Sequence, residues 1–222
     1  MNEQQNPMHP QDVIPEPSIS GVFGHGWEIL KKFFPELLLV FFLQILVSLP
    51  MGIVNVMNDH ESFGTGFFGL FALVYGLLVM APVSFGSSWI FLKAVRGEQF
   101  RPQDMFFAFQ QIGQIVLANI LVFLIIGLGF VCLIIPGIIF TCKLAFVPYL
   151  MMDEKIDATE AIRRSWAMTK GFGWTIFGMG FVSFFIAIGG LICFIVGVFP
   201  AGIWISLAFA GIYWTVSKRQ KK

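Results

Sequence analysis

Long apolar runs alternate along this chain with short charged segments. The runs cover roughly residues 34–54, 67–94, 115–135, 136–152, 174–192 and 194–216. Each is near the ~20 residues a helix needs to cross a bilayer. They are continuous rather than alternating, which predicts helices and not the strands of a membrane barrel. Pro35 falls in the first turn of the first run, where a helix tolerates it, and Pro82 predicts a kink in the second.

The segments between the runs have a helical period of their own. Ile19, Val22, Phe23, Trp27 and Leu30 make one apolar stripe before the first run, with Glu28 and Lys32 paired opposite. Ala158, Ala161, Ile162, Ser165, Trp166 and Thr169 make another before the fifth, with Glu160, Arg163, Arg164 and Lys170 opposite. Asp157 with Glu160 resembles a capping box, and Gly171 can stop that helix. A weaker version, with Pro102, Asp104, Met105, Phe109 and Ile112, precedes the third run. Trp27 and Lys31 share their spacing with Trp166 and Lys170, and Phe33 and Phe172 continue the match. The second leg of each pair of runs carries a proline: Pro82, Pro136 or Pro200. The expected fold is all-α and polytopic, about six transmembrane helices in three hairpins, each preceded by an amphipathic interfacial helix. Residues 19–216 form that single domain, between a disordered tail (1–18) and a basic tail (217–222).

Composition agrees with this reading. The 222 residues are 57% hydrophobic and only 12% charged, against about 25% charge in soluble domains. The net charge of +1 predicts no nucleic-acid partner. The placement of charge is more informative than its sum. Lys31, Lys32, Lys93, Arg96, Arg101, Lys155, Arg163, Arg164, Lys170, Lys218, Arg219, Lys221 and Lys222 all fall on one side of the predicted spans. The opposite side offers Asp59 and Glu61 and no basic residue. The positive-inside rule makes the basic side cytoplasmic and puts both termini there. The first residues lack the basic start of a secretory signal.

Lys143 breaks the pattern. It lies seven residues past Pro136 and ten before Asp153, near the bilayer middle at ~1.5 Å per residue. A lysine at that depth normally faces a cavity or a partner. It is the candidate anion- or lipid-binding residue. The alternative is that it snorkels to water, or bonds Thr141, Tyr149 or backbone carbonyls. Trp27, Trp166, Arg163, Arg164 and Lys170 are candidate interfacial anchors, with anionic phospholipid as the candidate partner beside the bilayer itself. Asp153, Glu154, Asp157 and Glu160 are the densest carboxylates, and they suit a helix start. No catalytic motif is present. Ser84, Ser87, Ser88, Thr141 and Ser183 have no base in sight. Cys132, Cys142 and Cys193 form no CxxC pair, and His9, His25 and His60 match no ligand spacing, so no cofactor or metal is expected.

The segment 136–171 carries a resemblance. Pro136-Gly137, Lys143, Phe146-x-Pro148, Asp153, Glu160-Ala161, Arg164-Ser165-Trp166 and Lys170-Gly171 follow one another in an order similar to a bacterial membrane family. That family comprises the membrane domain attached to some glycerophosphoryl diester phosphodiesterases and related small inner-membrane proteins. Arg96-Gly97-Glu98 and the Pro200 span look like it too. The soluble phosphodiesterase motifs are missing, so the resemblance implies no hydrolase activity. The expectation is a bacterial plasma-membrane protein, not an enzyme, with a binding or scaffold role in envelope or lipid homeostasis. A small permease for an anionic or amphiphilic solute is the alternative. An accessory subunit of a membrane enzyme is a third.

Overall fold

The computed structural model describes residues 18–58, 65–192 and 194–220. The N-terminal tail up to residue 17, Asp59, His60, Glu61, Cys193, Lys221 and Lys222 lie outside the described residues. Among the described residues every regular element is helical. In order they are α1 (Ile19–Lys32), α2 (Phe34–Asn58), α3 (Thr65–Tyr75), a π-helical segment (Gly76–Met80), α4 (Ala81–Arg96) and a 3₁₀ helix (Pro102–Gln111). Then follow α5 (Ile112–Cys132), α6 (Ile134–Leu144), α7 (Val147–Glu154), α8 (Ala158–Met168), α9 (Gly173–Ile192) and α10 (Phe194–Gln220).

Six stretches are long and apolar enough to cross a membrane: Phe34–Val54, Gly69–Arg96, Pro102–Cys132, Ile135–Glu154, Gly173–Ile192 and Gly197–Arg219. This is the architecture of a multi-pass membrane protein. Two boundaries move from the sequence reading. The third stretch reaches back through the 3₁₀ helix, and α10 continues helically to Gln220 through residues expected to be a tail.

Prolines set the breaks. Pro82 cannot donate to the carbonyl four residues earlier, and its ring crowds that turn. The chain answers with a wider turn: the Ala81 N–H bonds Gly76 O, five residues back. Pro148 likewise cannot bond the carbonyl of Leu144. The fourth stretch therefore separates into α6 and α7 at Ala145 and Phe146.

The core is concentrated at one end. The end of α4 contributes Ile90, Leu92 and Val95, and α7 contributes Leu150 and Met151. The second half of α10 adds Leu207, Ile212 and Tyr213, all fully buried. The 3₁₀ helix presses so closely on α4 that a Cβ on Gly86 would stand 1.9 Å from the Met105 carbonyl oxygen. The other end is open. Val131 is 84% exposed and Ile192 77%, as side chains facing lipid would be.

Candidate functional site

The charged residues gather at the packed end, where α4, α7 and α10 finish. Gly97, at φ 71°, closes α4 with its N–H on the carbonyls of Lys93 and Ala94. Just before it, Arg96 makes two parallel bonds to Asp153 at the end of α7, both 2.6 Å. Tyr213 of α10 donates its hydroxyl to the same carboxylate at 2.9 Å. Three helices are thus clamped at one carboxylate. Asp153 is 11% exposed. At that burial a paired charge is tolerable and an unpaired one is not. Lys93 pairs with Asp104 at 2.9 Å, and Asp104 also accepts from the Arg101 N–H. This clamp was not read from the sequence. Its signal was there, in Arg96 and Asp153 near the ends of two apolar stretches and Tyr213 in the last turns of a third, but nothing in one dimension says which of them meet.

Helix α8 lies across this end. Arg164 pairs with Glu154 of α7 and, at 2.7 Å, with Glu160. Arg163 pairs with Glu160 from the next position. These two guanidinium groups hold the Glu160 carboxyl below the usual range, chiefly through hydrogen bonds from Arg164 and then Arg163. Arg164 is raised correspondingly, first by its bond to Glu160. The capping box expected at Asp157 does not form. The Asp157 side chain makes no cap bond, and the Ala158 N–H donates instead to Gln114 of α5 at 3.3 Å. Glu160 is drawn to two guanidinium groups, stronger partners than one backbone N–H. The Glu28–Lys32 pair is likewise absent among the described ion pairs; Lys32 lies over the Phe33 ring.

Lys143 ends α6. It is half-buried. The break before α7 leaves it beside the start of α9, where Lys143, Gly173 and Trp174 line one cleft. Ser165 of α8 donates its hydroxyl to the Lys143 carbonyl at 2.7 Å. The Lys143 ammonium stands 5.8 Å from the centre of the Trp166 ring, which also packs on Phe140 at 5.4 Å. Thr141 and Tyr149 do not meet it. The Thr141 hydroxyl turns back to Gly137 O, and Tyr149 stacks on Tyr213. Among the described residues Lys143 makes no ion pair.

The cleft beside it runs between α6 and α9, with a volume of about 410 Å³. Its wall is Ile135, Ile138, Ile139, Cys142, Trp174 and Phe177. A second hollow of about 350 Å³ shares Ile138, Cys142 and Phe177 and reaches Phe209. Lys143 is the one charged residue lining either.

The other predicted anchors are dispersed. Trp27 is 43% exposed and packs on Trp204 of α10, with Lys31 over its ring. Arg163 and Arg164 are engaged as above, and Lys170 is exposed in the turn before Gly171. Ser87 and Ser88 both donate to Ser84 O of their own helix, whereas the buried Ser183 hydroxyl has no hydrogen-bond partner among the described residues. No cluster of metal-ligating residues occurs among the described residues.

Comparison of the chain with family models, curated proteins and solved structures finds no match. The site therefore stands on its own geometry.

Proposed function

We propose that this is a non-catalytic binding or scaffold protein of the bacterial plasma membrane, acting in envelope or lipid homeostasis. The spans read as three hairpins, each led by an interfacial amphipathic helix, with both termini in the cytoplasm. The observation that carries the reading is how charge is used at the packed end. Arg96–Asp153, Lys93–Asp104 and Arg164–Glu154 hold one element to another, and Glu160 is paired with Arg163 and Arg164 within α8. Lys143 stands apart from them, beside an apolar cleft between α6 and α9. A path for a soluble solute would need a polar lining. This cleft offers hydrocarbon walls and a single cation.

Purified protein in phospholipid vesicles tests the reading. A binding protein retains bilayer lipid through purification and moves no soluble anion down its gradient. Flux of a soluble organic anion that disappears in Lys143→Met would make it a permease instead. Reporter fusions test the orientation: activity of a cytoplasmic reporter is expected at residue 222 and not at residue 60.

A further inference from the structure

We propose that the α6/α9 cleft seats an acyl chain of an anionic phospholipid, with Lys143 holding the phosphate. This rests on the binding-protein reading above and names its ligand. The cleft, at about 410 Å³, falls within the ~300–1,000 Å³ of ordinary ligand pockets. Its lining is hydrocarbon and aromatic, which suits a chain and not a hydrated ion.

Charge complementarity selects the headgroup. Lys93, Arg96, Arg163 and Arg164 each have a carboxylate within 3 Å. Lys143 has none among the described residues, and no carboxylate lines the cleft. A cation in a poorly hydrated site, neighboured by an indole face, gains most from an anion arriving with its own apolar tail.

Depth agrees as well. Trp174 begins α9 and is 86% exposed, and Trp166 lies under the ammonium. Indole rings favour the headgroup level of a bilayer. A phosphate at Lys143 would sit at that level, and its chain would run along α6 past Ile139, Ile138 and Ile135 toward the open end. An inorganic anion could meet Lys143 but would leave the cleft wall unused.

The test is native mass spectrometry of the full-length protein from nanodiscs of equal phosphatidylglycerol and phosphatidylcholine. Wild type should retain one phosphatidylglycerol in preference. Lys143→Met should lower that occupancy roughly fivefold, the equivalent of about 1 kcal/mol for one lysine at an anionic surface, and Lys143→Arg should restore it. Ile138→Trp, which fills the cleft, should lower retention of both lipids. An unchanged thermal midpoint shows that each variant is folded. An undiminished phosphatidylglycerol preference in Lys143→Met overturns the headgroup assignment while leaving the binding reading intact. Retention of neither lipid by wild type overturns both. Displacement of phosphatidylglycerol by millimolar inorganic phosphate, with the chain no longer retained, overturns the lipid as ligand in favour of a free anion.

Discussion

Helices α1 and α8 share a pattern and bury the same register, yet they make different things of it. Val22, Gly26 and Leu30 of α1 are buried, and so are Ala161, Ser165 and Thr169 at the corresponding positions before and after Trp166. In α1 the small residue, Gly26, brings the helix onto α10: a Cβ there would lie 3.4 Å from Leu207 Cβ. The helix is capped from within, the Ser18 hydroxyl accepting from the Gly21 N–H. Its tryptophan takes a cation from its own helix, Lys31. In α8 the small residue, Ser165, hydrogen-bonds another helix at Lys143, the cap comes from Gln114 of α5, and the tryptophan takes its cation from α6. One helix takes its cap and its cation from its own segment, and the other takes both from its neighbours. The spacing of tryptophan and lysine is the same in both. The difference lies in what each packs on, and it is the α8 arrangement that leaves Lys143 beside a cleft.

The largest expected effect falls outside both helices, on the clamp at Asp153. Asp153→Ala leaves Arg96 and Tyr213 without their common partner and should cost about 3–5 kcal/mol. A thermal midpoint within a degree of wild type would show that the clamp contributes nothing. Next come the two small positions. Gly26→Leu should cost about 1–3 kcal/mol by crowding α10. Ser165→Leu should cost more, since it also removes a hydrogen bond worth about 1 kcal/mol. Only Ser165→Leu should disturb lipid retention at Lys143; an equal loss in Gly26→Leu would erase the distinction. Trp166→Phe then removes about 0.5–1 kcal/mol of cation–π attraction at an exchangeable ring. Trp27→Phe should match it in stability and leave lipid retention alone.

Smaller still is the acid dependence of α8. Because Glu160 has a folded-state pKa below its ordinary value, its ion pairs contribute fully above that ordinary value. The contribution disappears as pH falls through the depressed one. Unfolding of wild type should become easier across that acid window, and Glu160→Gln should flatten this part of the profile. Arg164→Ala should lower the thermal midpoint only slightly, as the loss of an exposed pair does. Lys31→Met should have the least effect, with thermal midpoint and bound lipid both near wild type.

The span positions were legible because membrane length and apolar composition are local properties. The stretch Phe34–Val54 is the same in sequence and structure, and the fifth differs by one residue at its start. Pro82 announced a distortion, and the structure shows its form, a π segment upstream of the ring. What surrounds Lys143 was not legible. Counting ~1.5 Å per residue assumed one unbroken helix from Pro136 to Asp153. Pro148 interrupts that helix, and α7 belongs to the packed end rather than to the open one. The capping box failed for a related reason. Asp157 and Glu160 satisfy the local rule, but Arg163 and Arg164 compete for the Glu160 carboxylate.

The sequence alone determined that this chain is helical, has six stretches able to cross a membrane, and groups its basic residues, Lys143 apart, around the ends of those stretches. Those properties follow from composition and period, which each segment expresses without reference to the others. Tertiary structure alone decided that Asp153 joins α4, α7 and α10, that α8 draws its cap and its cation from α5 and α6, and that Lys143 has an apolar cleft beside it. Each of these is a meeting of side chains far apart in sequence. Such meetings depend on how helices pack, and a one-dimensional pattern does not encode which neighbour a face will find.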